Sequence, residues 1–178
     1  MPRLAKINIE NAENDTKTML EGIQAKMGQV PNVFQGMANS PATLGFYLQG
    51  NQALGNSKLN ATEREAIALI IAQTNECNYC LAAHTVIGEG AGITAEESLN
   101  IRKNAASDAK IQALTSFAAK VQNSKGFVSD ADLQEFKNAG YGDAEASEVA
   151  AIVAMNIFTD FFNHINDTEV DFPAAQSI

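Results

Sequence analysis

Glu65, Cys77, Cys80 and His84 fall in one short stretch that reads Glu-x11-Cys-Asn-Tyr-Cys-x3-His. These are residue types that exchange electrons and protons. If the cysteine segment is helical, Cys77 and Cys80 stand at i and i+3, Cys80 and His84 at i and i+4, and all three share one stripe. A helix beginning near Asn75 would put Cys77 in the first turn. There, unpaired backbone N–H groups and the positive end of the helix dipole favour thiolate over thiol. Cysteines three residues apart at a helix start can also close a disulfide, so a two-electron dithiol/disulfide cycle is sterically open to them. One thiolate would attack a peroxide to give a sulfenic acid, and the other would displace water to form the disulfide. His84, with an ordinary pKa of about 6.5, and Glu65 are the natural proton carriers for such a cycle.

The composition narrows the alternatives. The chain has 178 residues, nearly half of them apolar, which suits one domain spanning residues 1–178 with the core motif at residues 65–84. There are 21 acidic against 12 basic side chains, a net charge of −9, which opposes nucleic-acid and anionic-membrane partners. The first residues, Met1 to Glu10, lack the unbroken apolar run of a secretion signal, and no later apolar run is long enough for a membrane span. The expectation is therefore a cytoplasmic protein. Two cysteines cannot build a multi-bridge framework, so in a reducing compartment the pair points to chemistry.

The elements that would position these residues are helices, and the expected fold is all-α. The first is expected over about Asp15–Met27, stopped by Gly28, with a short piece after Val30-Pro31-Asn32. Ser40-Pro41 reads as cap and first residue of a helix reaching about Asn56. Thr62 to Glu65 fits a capping box opening a strongly apolar helix that ends at Gln73 or Thr74. The cysteine helix should stop in the Gly88, Gly90, Gly92 cluster. A second capping box at Thr94 to Glu97 opens a short helix, Ser107-Asp108 opens one running toward Lys125, and Ser129–Ala139 is another. Asp143–Ile165 is the longest and is apolar on more than one face, as expected of a central core helix or a subunit contact. The tail from Asp167 reads as irregular.

Each candidate has a plainer reading. Glu65 could serve only as the reciprocal member of a Thr62 capping box. His84 could be a surface residue, although its place on the cysteine stripe favours proton transfer. Tyr79 reads as packing or a cavity wall, and His164 as a cation at a helix C-terminus. Cys77, Cys80, His84 and Glu65 are also acceptable zinc ligands by type. Structural zinc sites, however, set their Cys-x-x-Cys pair in a tight turn and draw the other ligands from elsewhere, so no metal is assigned. A redox sensor or a general thiol-disulfide oxidoreductase could use the same pair without turning over peroxide.

The motif resembles that of the alkyl hydroperoxide reductase D-like proteins, within the carboxymuconolactone decarboxylase superfamily. Glu65, Cys77, Cys80 and His84 stand at that family's spacing, and Glu65 to Gln73, Cys80-Leu-Ala-Ala-His84 and Val30-Pro31-Asn32-Val33-Phe34 are similar too. The resemblance spans about residues 28 to 172. It implies an all-helical oligomer, a trimer or a hexamer, with the site near a subunit interface and no bound cofactor. It implies a peroxidase in which Cys80 attacks the hydroperoxide, Cys77 resolves, Glu65 and His84 relay protons, and a thiol donor restores the dithiol. The chain departs from the best-known peroxidase of the family at Tyr79, where that protein has a second His. The superfamily's decarboxylase and lactone-ring branch does not need the cysteine pair.

Overall fold

A computed structural model describes residues 1–178 and shows nine helices and no strand. They are α1 (Asn14–Met27), α2 (Asn32–Met37), α3 (Pro41–Leu54), α4 (Ala61–Thr74), α5 (Asn78–Gly90), α6 (Ala95–Arg102), α7 (Ala109–Asn123), α8 (Asp130–Asn138) and α9 (Asp143–Asn166). The local signals place most of these ends. Gly28 closes α1 at φ 78, a left-handed conformation that costs glycine nothing. Ser40 caps α3 by accepting from the Thr43 N–H, with Pro41 at the first position. Asp108 and Ser129 cap α7 and α8 through their side chains.

Two capping assignments differ from the sequence expectation. α4 opens two residues earlier: Asn60 is the cap, accepting from the Glu63 N–H at 3.0 Å, while Glu63 accepts from the Asn60 N–H at 2.9 Å. Asn is at least as good a cap as Thr, and its box partner Glu63 is held from behind by Tyr141, whose hydroxyl donates to it at 3.0 Å. Thr62 instead donates its hydroxyl to the Ala91 carbonyl at 2.6 Å, tying α4 to the end of α5. At Thr94 only half of the box forms: Thr94 accepts from the Glu97 N–H, but the Glu97 carboxylate turns to the Ser107 N–H at 2.8 Å.

α4 is the hub. Every residue from Ala66 to Ala72 is buried, and the helix packs on α5, α6, α7 and α9. An all-round apolar helix of this kind can only be stable inside the bundle. Each of Ile67, Leu69 and Ile71, all fully buried, contributes about 1.5–3 kcal/mol by leaving water. One side of α4 faces a core shared with α7, α8 and α9, including a stack of Phe117, Phe136 and Tyr141 with ring centroids 4.4 and 4.6 Å apart. The other side meets a second core built from α1, α2, α3 and α5, and this one contains Cys77, Tyr79 and Cys80. α9 borders both. No helix is long and apolar enough to cross a membrane.

Candidate functional site

The cysteines are positioned by the way α4 stops. Asn75 is its C-cap and Glu76 follows in the left-handed region, φ 56, where glycine is the usual occupant. The Glu76 N–H donates to the Gln73 carbonyl at 3.2 Å and the Cys77 N–H to the Ala72 carbonyl at 3.0 Å, the paired bonds of a Schellman motif. Because that motif uses the backbone through Cys77, α5 starts at Asn78 and not near Asn75. Cys77 is therefore the N-cap and lies outside the first turn. Its sulfur nonetheless takes the capping role, accepting from the Cys80 N–H at 3.2 Å. Cys77 and Cys80 are joined as a disulfide, with Cα atoms 5.3 Å apart, so the predicted pairing is the observed one.

Glu65 and His84 meet one turn deeper, where α4 and α5 run side by side. Since Asn60 and Glu63 make the capping box, Glu65 is free of that duty and points its Oε2 to His84 Nδ1 at 2.8 Å. A carboxylate only accepts, so Nδ1 carries the proton and Nε2 is left without a partner in the chain. Both side chains are about four-fifths buried. Burial alone would pull the imidazole pKa down. The Glu65 charge and hydrogen bond outweigh it, with a smaller pull from Asp160, and the His84 pKa lies above the ordinary value. Tyr47 faces the same carboxylate, and burial with the Glu65 charge pushes its pKa up to about 12.

Cys80, His84 and Glu65 line one cavity of about 380 Å³, and Cys77 does not. The predicted quartet is thus divided between two faces of the disulfide. The cavity wall is mostly apolar, with Phe34, Tyr47, Ile152 and Met155 on it and the cations Lys26 and Arg64 also contributing. Tyr79 is also on the wall, as expected, and does not offer a free hydroxyl. It donates to Asp171 at 2.8 Å, accepts from the Val33 N–H at 3.2 Å, and packs edge-on against Phe172, so it pins the tail from Asp167 onward over α2 and α5. His164 stands exposed in the last turn of α9, where the helix dipole favours a cation.

α9 adds two residues that sequence reasoning missed. Asn163 donates its amide to Cys80 Sγ at 3.3 Å and lies 4.0 Å from Cys77 Sγ. Asp160, 1% exposed, puts a carboxylate oxygen within 4.8 Å of both sulfurs. The signal for them is legible in retrospect: Asn156, Thr159, Asp160 and Asn163 form a polar stripe at helical spacing within the most apolar long helix, and all four are buried. The four-ligand metal set of Cys77, Cys80, His84 and Glu65 does not assemble. The donors that converge are the two sulfurs and Asp160, and with the sulfurs joined there are no thiolates to ligate.

Known proteins bear out the family resemblance. The model of the carboxymuconolactone decarboxylase family matches residues 41–123. No curated protein matches the chain. Among solved structures, an uncharacterized peroxidase-related protein with an alkylhydroperoxidase AhpD core, from Ralstonia eutropha JMP134, superposes with a TM-score of 0.88 at 24% identity, covering 96% of this chain and 92% of its own. A peroxidase-related protein from Silicibacter sp. TM1040 gives 0.83 at 24% identity, over 94% and 89%. The debrominase Bmp8, in a cysteine-to-alanine variant complexed with 2,3,4-tribromopyrrole, gives 0.72 at 18% identity, over 87% and 84%. This chain has the fold of the AhpD-core structures, and its residues 41–123 match the model of the carboxymuconolactone decarboxylase family.

Proposed function

We propose that this protein is a thiol-dependent peroxidase that reduces hydroperoxides through a Cys80 and Cys77 dithiol/disulfide cycle. The observation that carries the reading is the division of the disulfide between two faces: Cys80 shares a cavity with the Glu65–His84 pair, and Cys77 does not. In the cycle, the Cys80 thiolate attacks one oxygen of a hydroperoxide held in the cavity and the O–O bond breaks. The departing alkoxide takes a proton from His84, which Glu65 keeps protonated, and leaves as the alcohol. Cys80 is now a sulfenic acid. The Cys77 sulfur attacks it, the S–O bond breaks, water leaves and the disulfide closes. An external thiol donor, a dithiol protein or small thiol, returns the two electrons by exchange. No step requires a bound cofactor.

The apolar wall suits an organic hydroperoxide. The reading includes self-association in the cytoplasm: Phe46, Phe161 and Ile165 each expose more than half of their surface, apolar area of a kind that a second copy would cover.

The test is stopped-flow consumption of cumene hydroperoxide by the fully reduced protein, with mass spectrometry of the product. Rapid consumption with one disulfide per turnover is expected. Cys80→Ser abolishes it, whereas Cys77→Ser gives a single turnover that stops at a trappable sulfenic acid. Full activity in Cys80→Ser would reverse the roles. No consumption by protein with two titratable thiols would leave disulfide exchange or redox sensing as the function.

A further inference from the structure

Asp160 is a buried carboxylate that the cycle above leaves unused. Its Oδ2 accepts from the Asn75 amide at 2.7 Å, and Asn75 is oriented by Gln122, whose amide donates to Asn75 Oδ1. The Asn75 NH2 group is thus committed to Asp160 from outside, which fixes the carboxylate's rotation. Its Oδ1 then has no hydrogen-bond partner, although the residue is 1% exposed. A buried acceptor left unpaired costs about 1–3 kcal/mol, and an atom that persists in that state calls for a reason. The reason lies next to it: the carboxylate is within 4.8 Å of both sulfurs, which in the disulfide carry no proton and in the reduced protein do.

We propose that Asp160 is the proton acceptor and store for Cys77, taking the thiol proton as the disulfide closes and returning it as the disulfide opens. Cys77 needs such a partner because it is 1% exposed and does not line the cavity, so neither solvent nor the Glu65–His84 pair serves it. Cys80 has the cavity and the Asn163 amide. During closure, the proton passes from Cys77 to the Asp160 carboxylate and the Cys77–Cys80 bond forms. The S–O bond of the sulfenic acid breaks, and the departing hydroxide becomes water with a proton from His84, which has regained one from solvent through the cavity after protonating the alkoxide. During reduction, a donor thiolate attacks the Cys80 sulfur and the S–S bond breaks. Cys77 leaves with the electron pair and recovers its proton from Asp160; a second donor thiolate then attacks the donor sulfur of the mixed disulfide, and Cys80 leaves as the thiolate. For Asp160 and Cys77, each half restores the protonation state that the other requires.

The surroundings suit a group that changes protonation. Burial raises the Asp160 pKa, while the Asn75 hydrogen bond and the charges of His84 and His164 act in the opposite direction. The titratable groups around it are Cys77 at the cap of α5, Cys80 and His84 within α5, Glu65 of α4 behind His84, and His164 on α9 itself. Gln122 of α7 and Asn163 of α9 are neutral. In the proposed cycle, the shared proton couples the ionisation of Cys77 to that of Asp160.

The proposal rests on the disulfide cycle but not on peroxide, so its test uses diamide as the oxidant. Asp160→Asn keeps an acceptor for Asn75 and nearly the same volume. In wild-type protein, diamide-driven closure and iodoacetamide alkylation of Cys77, mapped by mass spectrometry, are expected to show a pH profile with two coupled ionisations. In the variant, one ionisation is lost and Cys77 reacts about tenfold more slowly or less at neutral pH. An unchanged profile in a folded variant overturns the proposal. Should the variant not fold, redox-difference infrared spectroscopy of the wild-type protein decides: a buried carboxyl band that changes between disulfide and dithiol supports the proposal, and its absence overturns it. A protein that consumes no peroxide but shows the Asp160 effect with diamide would refute the peroxidase reading and leave this one standing.

Discussion

Replacing Glu65 with Gln isolates the charge that holds His84 protonated. The amide keeps the shape and still accepts a hydrogen bond from Nδ1, so the perturbation is electrostatic. A hydrogen bond to a charged partner is worth about 1.5–3 kcal/mol and a neutral one about 1 kcal/mol, so the difference is about 1–2 kcal/mol. The pair is about 80% buried, which leaves little solvent screening to reduce that figure. Its pH dependence follows from the direction of the shift. The His84 pKa is raised in the fold, so the stabilisation is complete below its unfolded value of about 6.5 and disappears as pH rises through the folded value. In Glu65→Gln the pull of burial remains, opposed only by the weaker influence of Asp160, so the direction reverses and acid destabilises the fold. Denaturant melts from about pH 5 to about pH 9 should show the variant weaker by about 1–2 kcal/mol at the acid end and converging with wild type at the alkaline end. Peroxide turnover, measured across the same range, should fall about a hundredfold at neutral pH, the low end of what a positioned proton donor supplies. A stability difference independent of pH, or unchanged turnover in a folded variant, would refute the assignment.

Two further substitutions test the site from its other sides. Asn163→Ala removes the amide that donates to Cys80 Sγ at 3.3 Å and should slow Cys80 alkylation at neutral pH about tenfold, since one lost charge-assisted bond of about 1.5 kcal/mol raises the thiol pKa by about one unit; an unchanged alkylation profile would exclude that donor role. Tyr79→Phe leaves the Val33 N–H unpaired and frees one Asp171 oxygen, so stability should fall by about 1–3 kcal/mol; amide exchange at Asp171 and Phe172 should quicken, and protection of the tail equal to wild type would show that Tyr79 does not hold it.

The all-helical fold was legible because its signals are local. Gly28, Ser40-Pro41, Asp108 and Ser129 place helix ends within a residue or two, and α9 runs Asp143–Asn166 where the apolar pattern predicted Asp143–Ile165. The start of the cysteine helix was not legible. Glu76 adopts a conformation that glycine usually signals, so the Schellman stop was hidden and α5 was expected three residues too early. The Thr62 box was a close competitor that lost to Asn60 because Glu63 finds Tyr141, a partner distant in the sequence. The motif residues were visible because they lie on adjacent helices at fixed spacing. Asp160 and Asn163 were not, since only the packing of α9 across α5 brings them to the sulfurs. The polar stripe of α9 marks these positions as unusual in an apolar helix, but only the fold shows that the stripe faces the sulfurs.

The division of labour between the cysteines turns on which effect is larger. The helix terminus favours anionic sulfur near its first N–H groups, and Cys77 is the residue that accepts one of them. Taken alone, that would make Cys77 the attacking thiolate. The dipole's contribution is about 0.3–1 kcal/mol, however, a factor of about five at most in thiolate population. Access to the cavity is a far stronger discriminator, because a sulfur that peroxide does not meet cannot react with it whatever its ionisation. Cys80 has that access, together with an Asn163 donor of its own. In the proposed cycle, the terminus therefore does not select the nucleophile. It stabilises the Cys77 thiolate at the two moments when that sulfur bears charge, as it attacks the sulfenic acid and as it leaves the disulfide, with Asp160 placed beside it to take up or return the proton.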